Sequence, residues 1–205
     1  VEGTSTVQSI KFDGKNLNVF DNTGRSAALV GIDLRGRAGN YPIEVTLLDG
    51  KKIKKDLVVG ARTVVKAPLG IPDKLGGDTP EAEKELIDTL AQEGALISSI
   101  ISGDKKLWDG KFRLPLNAPI VVTDVYGYSR LTGASTIAHK GTDYRAKVGT
   151  PVYAINSGTV RFTQYLRNYG HTVIIDHGAG LLSIYMHLSE INTQLGESIE
   201  KGELI

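Results

Sequence analysis

Apolar and polar positions alternate through the first third of the chain. Val7-Gln-Ser-Ile-Lys-Phe12 has the period of two that buries one face of a strand. Asp13-Gly14 then supplies a hairpin signal before Leu17–Phe20 resumes the pattern. Ala27–Leu34, Tyr41–Leu48 and Lys52–Val59 repeat it, separated by Ala38-Gly-Asn and Leu48-Asp-Gly50. Short strands with Gly, Asn and Asp turns predict a small antiparallel β-sandwich over residues 1–66. That stretch holds no cluster of titratable side chains, so it reads as a spacer or binding module.

The pattern then changes twice. Ala-Pro-Leu-Gly-Ile-Pro-Asp-Lys-Leu-Gly-Gly at 67–77 reads as a linker. Thr79 is an expected N-cap, with Pro80 in the first turn and Glu81 and Glu83 at the positive end of the helix dipole. Leu86, Leu90, Ile97 and Ile101 give one apolar stripe, Gly94 marks a kink or break, and Gly103 is the expected end. This linker and helix fill residues 67–106 and stand in sequence where they would cover the groove of the domain after them. From 107 to 205 strand patterns return in pieces cut by Pro115, Gly127, Gly133, Gly141, Gly149 and Pro151. The later pieces are Val152–Ala154, Gly158–Phe162, His171–Asp176, Leu181–His187 and Glu197–Ile205. The fold class is therefore mainly β: a sandwich, a helical linker, and a second antiparallel β domain that the last residue leaves incomplete.

Composition narrows the chemistry. The chain has 205 residues, 40% of them hydrophobic, with 24 basic against 23 acidic side chains and a net charge of +1. A nucleic-acid binder working through a basic face carries a clear surplus of Lys and Arg, so no nucleic-acid partner is expected. No apolar run reaches the roughly 18 residues a membrane-spanning helix needs. No basic stretch followed by an apolar core opens the chain, so any export signal is expected to have been removed already or to lie outside these residues. Cysteine is absent, and a metal would have to be held by His and carboxylate groups.

All four histidines, 139, 171, 177 and 187, lie in the last third. Imidazole is the commonest zinc ligand and general base, which makes this grouping informative. In a regular strand, His139 and Asp143 would point the same way but stand about 13 Å apart. Two ligands on one zinc, each bonded at about 2 Å, must converge much more closely. The segment must bend, and Gly141 between them permits a bulge or tight turn. Gly141, Thr142 and Gly149-Thr-Pro151 argue against the helix that would otherwise bring the pair together.

The surrounding residues say more. His139-Lys-Gly-Thr-Asp143, Gly149-Thr-Pro-Val-Tyr-Ala154 and Gly158-Thr-Val160 resemble the first metal-binding motif of the lysostaphin-like (LytM-type) peptidoglycan zinc metallopeptidases. The resemblance continues through Thr172–Gly178, Gly180–Ser189 and Gly196–Gly202. Upstream, Trp108–Pro115 and Gly127-Tyr-Ser-Arg130 look like the start of the same domain, so about residues 108–205 are covered. The resemblance implies that His139 and Asp143 ligate Zn2+ and that His187, in Tyr-Met-His-Leu, is the catalytic histidine. Arg130 and His171 are expected to meet substrate. His177, in Asp-His-Gly, is expected to end a strand and bond backbone, and Trp108 to anchor a core at the domain boundary. Peptidoglycan is the implied partner, and a periplasmic or extracellular place in the cell envelope the implied location.

By the resemblance, the family's later H-x-H motif, which provides the third ligand, is expected beyond Ile205. The 205 residues by themselves are therefore expected to hold zinc weakly and hydrolyse little. Three readings are open: a zinc endopeptidase cutting cross-links or stems of peptidoglycan, an inactive relative that binds cell wall or activates a partner amidase, and a lipoyl or biotinyl carrier. The carrier needs a modifiable lysine at a hairpin tip, where Asn156-Ser157 stands instead.

Overall fold

A computed structural model describes residues 6–68, 70, 71, 73–132 and 135–205. Leu69 and Pro72 of the expected linker, and the expected break at Gly133, lie outside the described residues. The N-terminal strands are β1 (Val7–Phe12), β2 (Lys15–Leu17), β3 (Val19–Asp21), β4 (Ser26–Ala28), β5 (Gly39–Leu47) and β6 (Lys52–Val59). Asp13 and Gly14 both adopt positive φ, 46° and 76°, the geometry a tight β1–β2 hairpin requires. Where a sandwich is expected, the described residues form one antiparallel sheet in the order β2-β1-β5-β6 and a separate β3–β4 ribbon. The strand expected over Ala27–Leu34 stops at Ala28. Residues 29–33 form no regular element, and the end of the expected strand is a turn instead: Asp33 Oδ1 accepts from Arg35 N at 2.8 Å and its carbonyl from Gly36 N at 2.7 Å.

Residues 67–106 are packed into the C-terminal half of the chain. β7 (Lys66–Pro68) runs parallel to a later strand, and α1 spans Pro80–Ser98. The Thr79 side chain accepts from Ala82 N at 3.2 Å, as its N-cap position requires. The helix ends five residues before Gly103. Ser99 is the C-cap, and its Oγ donates to Leu96 O at 2.7 Å. Gly94 lies inside the helix without breaking it, because burial of the stripe outweighs a glycine cost of about 1 kcal/mol. Ile101, expected on the stripe, lies past the helix and is 84% exposed; Ile100 packs inward in its place.

The C-terminal strands are β8 (Val122–Asp124), β9 (Ser129–Thr132), β10 (Ser135–Ala138), β11 (Asp143–Tyr144), β12 (Gly158–Leu166), β13 (Gly170–Gly178), β14 (Leu181–Leu188) and β15 (Ser198–Ile199). Three groups form: β14-β13-β12-β15, β10-β9-β7 and β11-β8. Of the expected Val152–Ala154 and Glu197–Ile205 strands, β15 and an isolated bridge between Tyr153 and Leu204 remain.

β13 is covered on both faces, so its three consecutive apolar residues, Val173-Ile-Ile175, are all buried. Val173 and Ile175 join Ala154, Val160, Tyr185, Ile199 and Ile205 in one core. Ile174 joins Phe162 and Leu166 in another, closed by Ile97 and Ile100 from the end of α1 and the residues after it. Earlier in the helix, Ala82 and Leu86 pack with Ile71, Leu90 and Ile137. Buried Glu93 accepts from Asn168 N and Nδ2, at 3.2 and 2.9 Å, pinning the β12–β13 turn to the helix. The helix is thus a structural layer of the C-terminal half rather than a removable cover. Trp108 links the two halves, edge-on to Phe20 at 5.3 Å and tilted against Phe112 at 6.1 Å.

Candidate active site

Three short strand ends and one loop build the cluster around His139. β11 pairs with β8 so that Asp143 stands opposite Asp124. Two like charges directly across a strand pair repel. Arg130, from β9, relieves that repulsion. Its Nε donates to Asp124 Oδ2 at 3.1 Å, and its Nη2 donates both to that oxygen and, at 2.8 Å, to Asp143 Oδ2. Burial alone would lower the Arg130 pKa, but its bonds to the two carboxylates raise it above its ordinary value, so the guanidinium stays charged.

His139 comes directly after β10. Its backbone N–H donates to Tyr128 O at 2.7 Å and its carbonyl accepts from Gly127 N at 2.8 Å, locking it to the β8–β9 loop. That loop is held in turn by Arg62, whose Nη1 donates to Gly127 O at 2.7 Å. Gly127, at φ 93°, leaves room for this, since a Cβ there would lie 2.3 Å from the guanidinium. The His139 side chain is 10% exposed. Its Nδ1 lies 3.1 Å from Val125 O, which can only accept, so Nδ1 carries the hydrogen. Nε2 is left facing Asp143 Oδ1 at 3.0 Å. A ring nitrogen oriented by a backbone carbonyl and turned toward a carboxylate oxygen is the donor arrangement that zinc sites use. The bend expected of His139–Asp143 is present. Gly141 does not adopt the left-handed conformation, and a Cβ there would make only an ordinary contact, 3.9 Å from His139 Nε2.

One ligand atom each from Asp124, His139 and Asp143 lies within 4.8 Å of the others. Asp124 is not legible as a candidate in the sequence. Neither spacing nor motif marks it, and only the β8–β11 register brings it to Asp143.

The remaining candidates lie on the molecule's principal sheet, on β13 and β14. His171 and His187 meet where β13 and β14 pair, His171 lying opposite Leu188. His171 donates from Nδ1 to Ser189 O at 3.0 Å and meets Tyr165 edge-on at 5.4 Å, leaving Nε2 available. His187 is exposed, at φ 58°, with its N–H donating to Tyr169 O at 2.8 Å. Its ring makes no hydrogen bond among the described residues and rests against Gly170, where a Cβ would stand 3.8 Å from Nδ1. Among the described residues, neither histidine is hydrogen-bonded to the His139 cluster.

His177 is fully buried and both its nitrogens are used. Nδ1 donates to Ser157 O at 2.8 Å, and Nε2 lies 2.8 Å from Ser183 Oγ, which lies 3.1 Å from Tyr185 Oη. Burial pushes its pKa below the ordinary 6.5, against smaller raising effects of the Ser157 bond and Asp176. The unfolded chain takes up a proton near pH 6.5 that the folded chain resists. Stability is therefore expected to be full above that pH and to fall as the pH drops toward the lower folded value. Urea midpoints at pH 7.5 and 5.0 test this, with the His177 ring followed by NMR; a ring that titrates at its ordinary value would contradict the assignment. Nearby Asn156 is also fully buried and bonds Asp109 through both side-chain atoms, a structural role that removes the carrier reading.

Residues 137–205 match the profile described as Peptidase family M23, and this part of the chain belongs to that family. The chain is 30% identical over 172 residues to the peptidoglycan DD-endopeptidase ShyA of Vibrio cholerae, covering 78% of this chain and 39% of that protein. It is 39% identical over 67 residues to the DD-carboxypeptidase/endopeptidase Mpg of Neisseria meningitidis, covering 33% of this chain and 15% of that one. The chain thus spans less than half the length of these relatives. A solved Pseudomonas aeruginosa protein assigned to peptidase M23 superposes over 98% of this chain and 74% of its own, with a TM-score of 0.57 and 26% identity. No described helix is long and apolar enough to cross a membrane.

Proposed function

We propose that the chain carries the catalytic domain of a zinc-dependent endopeptidase that hydrolyses peptide cross-links or stems of bacterial peptidoglycan in the cell envelope. One observation carries the reading. Within the M23 segment, His139 Nε2 and Asp143 Oδ1 converge to 3.0 Å with the ring already oriented by Val125 O. That donor set fits zinc, and cysteine is absent, so no thiolate competes for it. Bound there, zinc would polarise a scissile carbonyl and lower the pKa of a water to about 7.

The chain's own residues supply the rest. His139 and Asp143 would hold the metal; backbone bonds to Gly127 and Tyr128 anchor the first, and Arg130 anchors the carboxylate of the second. His187, an exposed imidazole without a fixed partner among the described residues, is suited to accept a proton from the attacking water and deliver it to the leaving amine. His171, whose Nε2 makes no hydrogen bond among the described residues, is the side chain we assign to hydrogen-bonding the peptide. The printed activities of ShyA and Mpg support the peptidoglycan assignment. In the full-length protein, His187→Ala is expected to leave metal bound while abolishing conversion of cross-linked muropeptides to monomers; retained conversion would remove His187 from its role.

A further inference from the structure

The sequence points Arg130 at the substrate, yet two carboxylates already occupy its Nε and Nη2. Resting on the metal-centre reading above, we propose that Arg130 is a positioning residue that withholds carboxylate from the metal. It engages Asp143 Oδ2, so that only Oδ1 faces His139, and it sequesters Asp124 as its counter-ion.

The geometry makes such a device necessary. Asp124, His139 and Asp143 offer ligand atoms within 4.8 Å of one another, close enough for all three to close on one cation. A hydrolytic zinc needs an open position for water, whereas a site whose positions are filled by protein is structural. Without Arg130, Asp124 would be an anion with nothing opposite it but Asp143, its partner across the β8–β11 pair. A divalent cation would then draw in Asp124, and the free Oδ2 of Asp143, as additional ligands. The guanidinium prevents this in two ways. It takes the lone pairs of Asp124 Oδ2 and Asp143 Oδ2 in a forked arrangement that lysine could not reproduce. It also places a positive charge beside the metal, which lowers affinity. Asp124 offsets that charge, so the pair together leaves the local balance unchanged.

The expected signs differ from those of a residue serving only to orient Asp143. Zinc affinity of the full-length protein is measured by competition with a chromophoric chelator, and ligand number by X-ray absorption. Arg130→Met is expected to bind zinc about tenfold or more tightly and to gain an oxygen ligand. Asp124→Asn leaves the guanidinium uncompensated and should bind about tenfold more weakly. The Arg130→Met/Asp124→Asn double variant, with the original charge balance, is expected near the parent affinity and ligand number. Arg130→Gln, similar in length to arginine, repeats the first arm should the methionine variant not fold. Unchanged or weaker binding by both Arg130 variants would overturn the proposal while leaving the metal centre intact. An absence of zinc binding by the parent protein would overturn the metal centre with it.

Discussion

Replacing His139 or Asp143 by alanine is expected to strip the full-length protein of stoichiometric zinc and, with it, of hydrolysis. The expected loss of affinity exceeds the roughly 100-fold that removing an outer-shell partner costs, because these two side chains themselves supply the facing donor atoms. Little else should change. Asp143 lies at the end of a two-residue strand with its side chain 44% exposed, and His139 keeps its place through backbone bonds that alanine also makes. Metal content by mass spectrometry of the purified variants, beside a thermal melt in chelator, separates the two effects. Stoichiometric zinc in either variant would show the ligand assignment to be wrong. A large fall in the metal-free melt would show a structural role instead.

The second large effect concerns stability and a residue in the same family-matching segment. Gly178→Ala is expected to cost on the order of 4 kcal/mol or more, the range reached by steric and backbone disruption of a packed interior. Gly178 adopts φ 79°, and a Cβ there would meet Lys105 O at 1.8 Å and Leu107 N at 3.3 Å. The close approach cannot relax cheaply, because Leu107 N donates to His177 O at 2.8 Å and holds the two backbones together. Gly180 is the control. Its φ of 85° is as left-handed, but a Cβ there would meet nothing within 4 Å. Gly180→Ala should therefore cost only the conformational strain, about 1–2 kcal/mol. Urea denaturation of both variants decides the matter, and equal losses would show that the contact with Lys105 is not what the glycine permits.

Much of this fold is written locally. β1 and β6 fall where alternation puts them, and β5 within two residues, since each strand buries one face and its hairpin turns carry Gly or Asp. Thr79 caps α1 because a short side-chain oxygen before Pro80 can reach the first free N–H groups. The features that are not legible depend on distant partners. β7 lies in a Pro- and Gly-rich stretch that reads as a linker, and only its parallel pairing with β9 makes it a strand. The helix ends at its Ser99 cap, and the chain beyond is held by the Asp176 carboxylate. That carboxylate accepts from Ser102 Oγ at 2.5 Å and from Gly103 N at 2.9 Å. The candidate site divides in the same way. His139-x-x-x-Asp143 is readable from the sequence because one bend joins its two ends. Asp124, and the bridge Arg130 makes between two carboxylates, are not, because strand register alone creates them.

The claim that this is a metal-dependent peptidoglycan endopeptidase is tested most directly by digesting purified cross-linked muropeptides with the full-length protein and weighing the products. Dimers are expected to become monomers through cleavage of a peptide bond, with a chelator stopping the conversion and zinc restoring it. Intact dimers after incubation with zinc-loaded protein, or cleavage that survives removal of every metal, would contradict the claim.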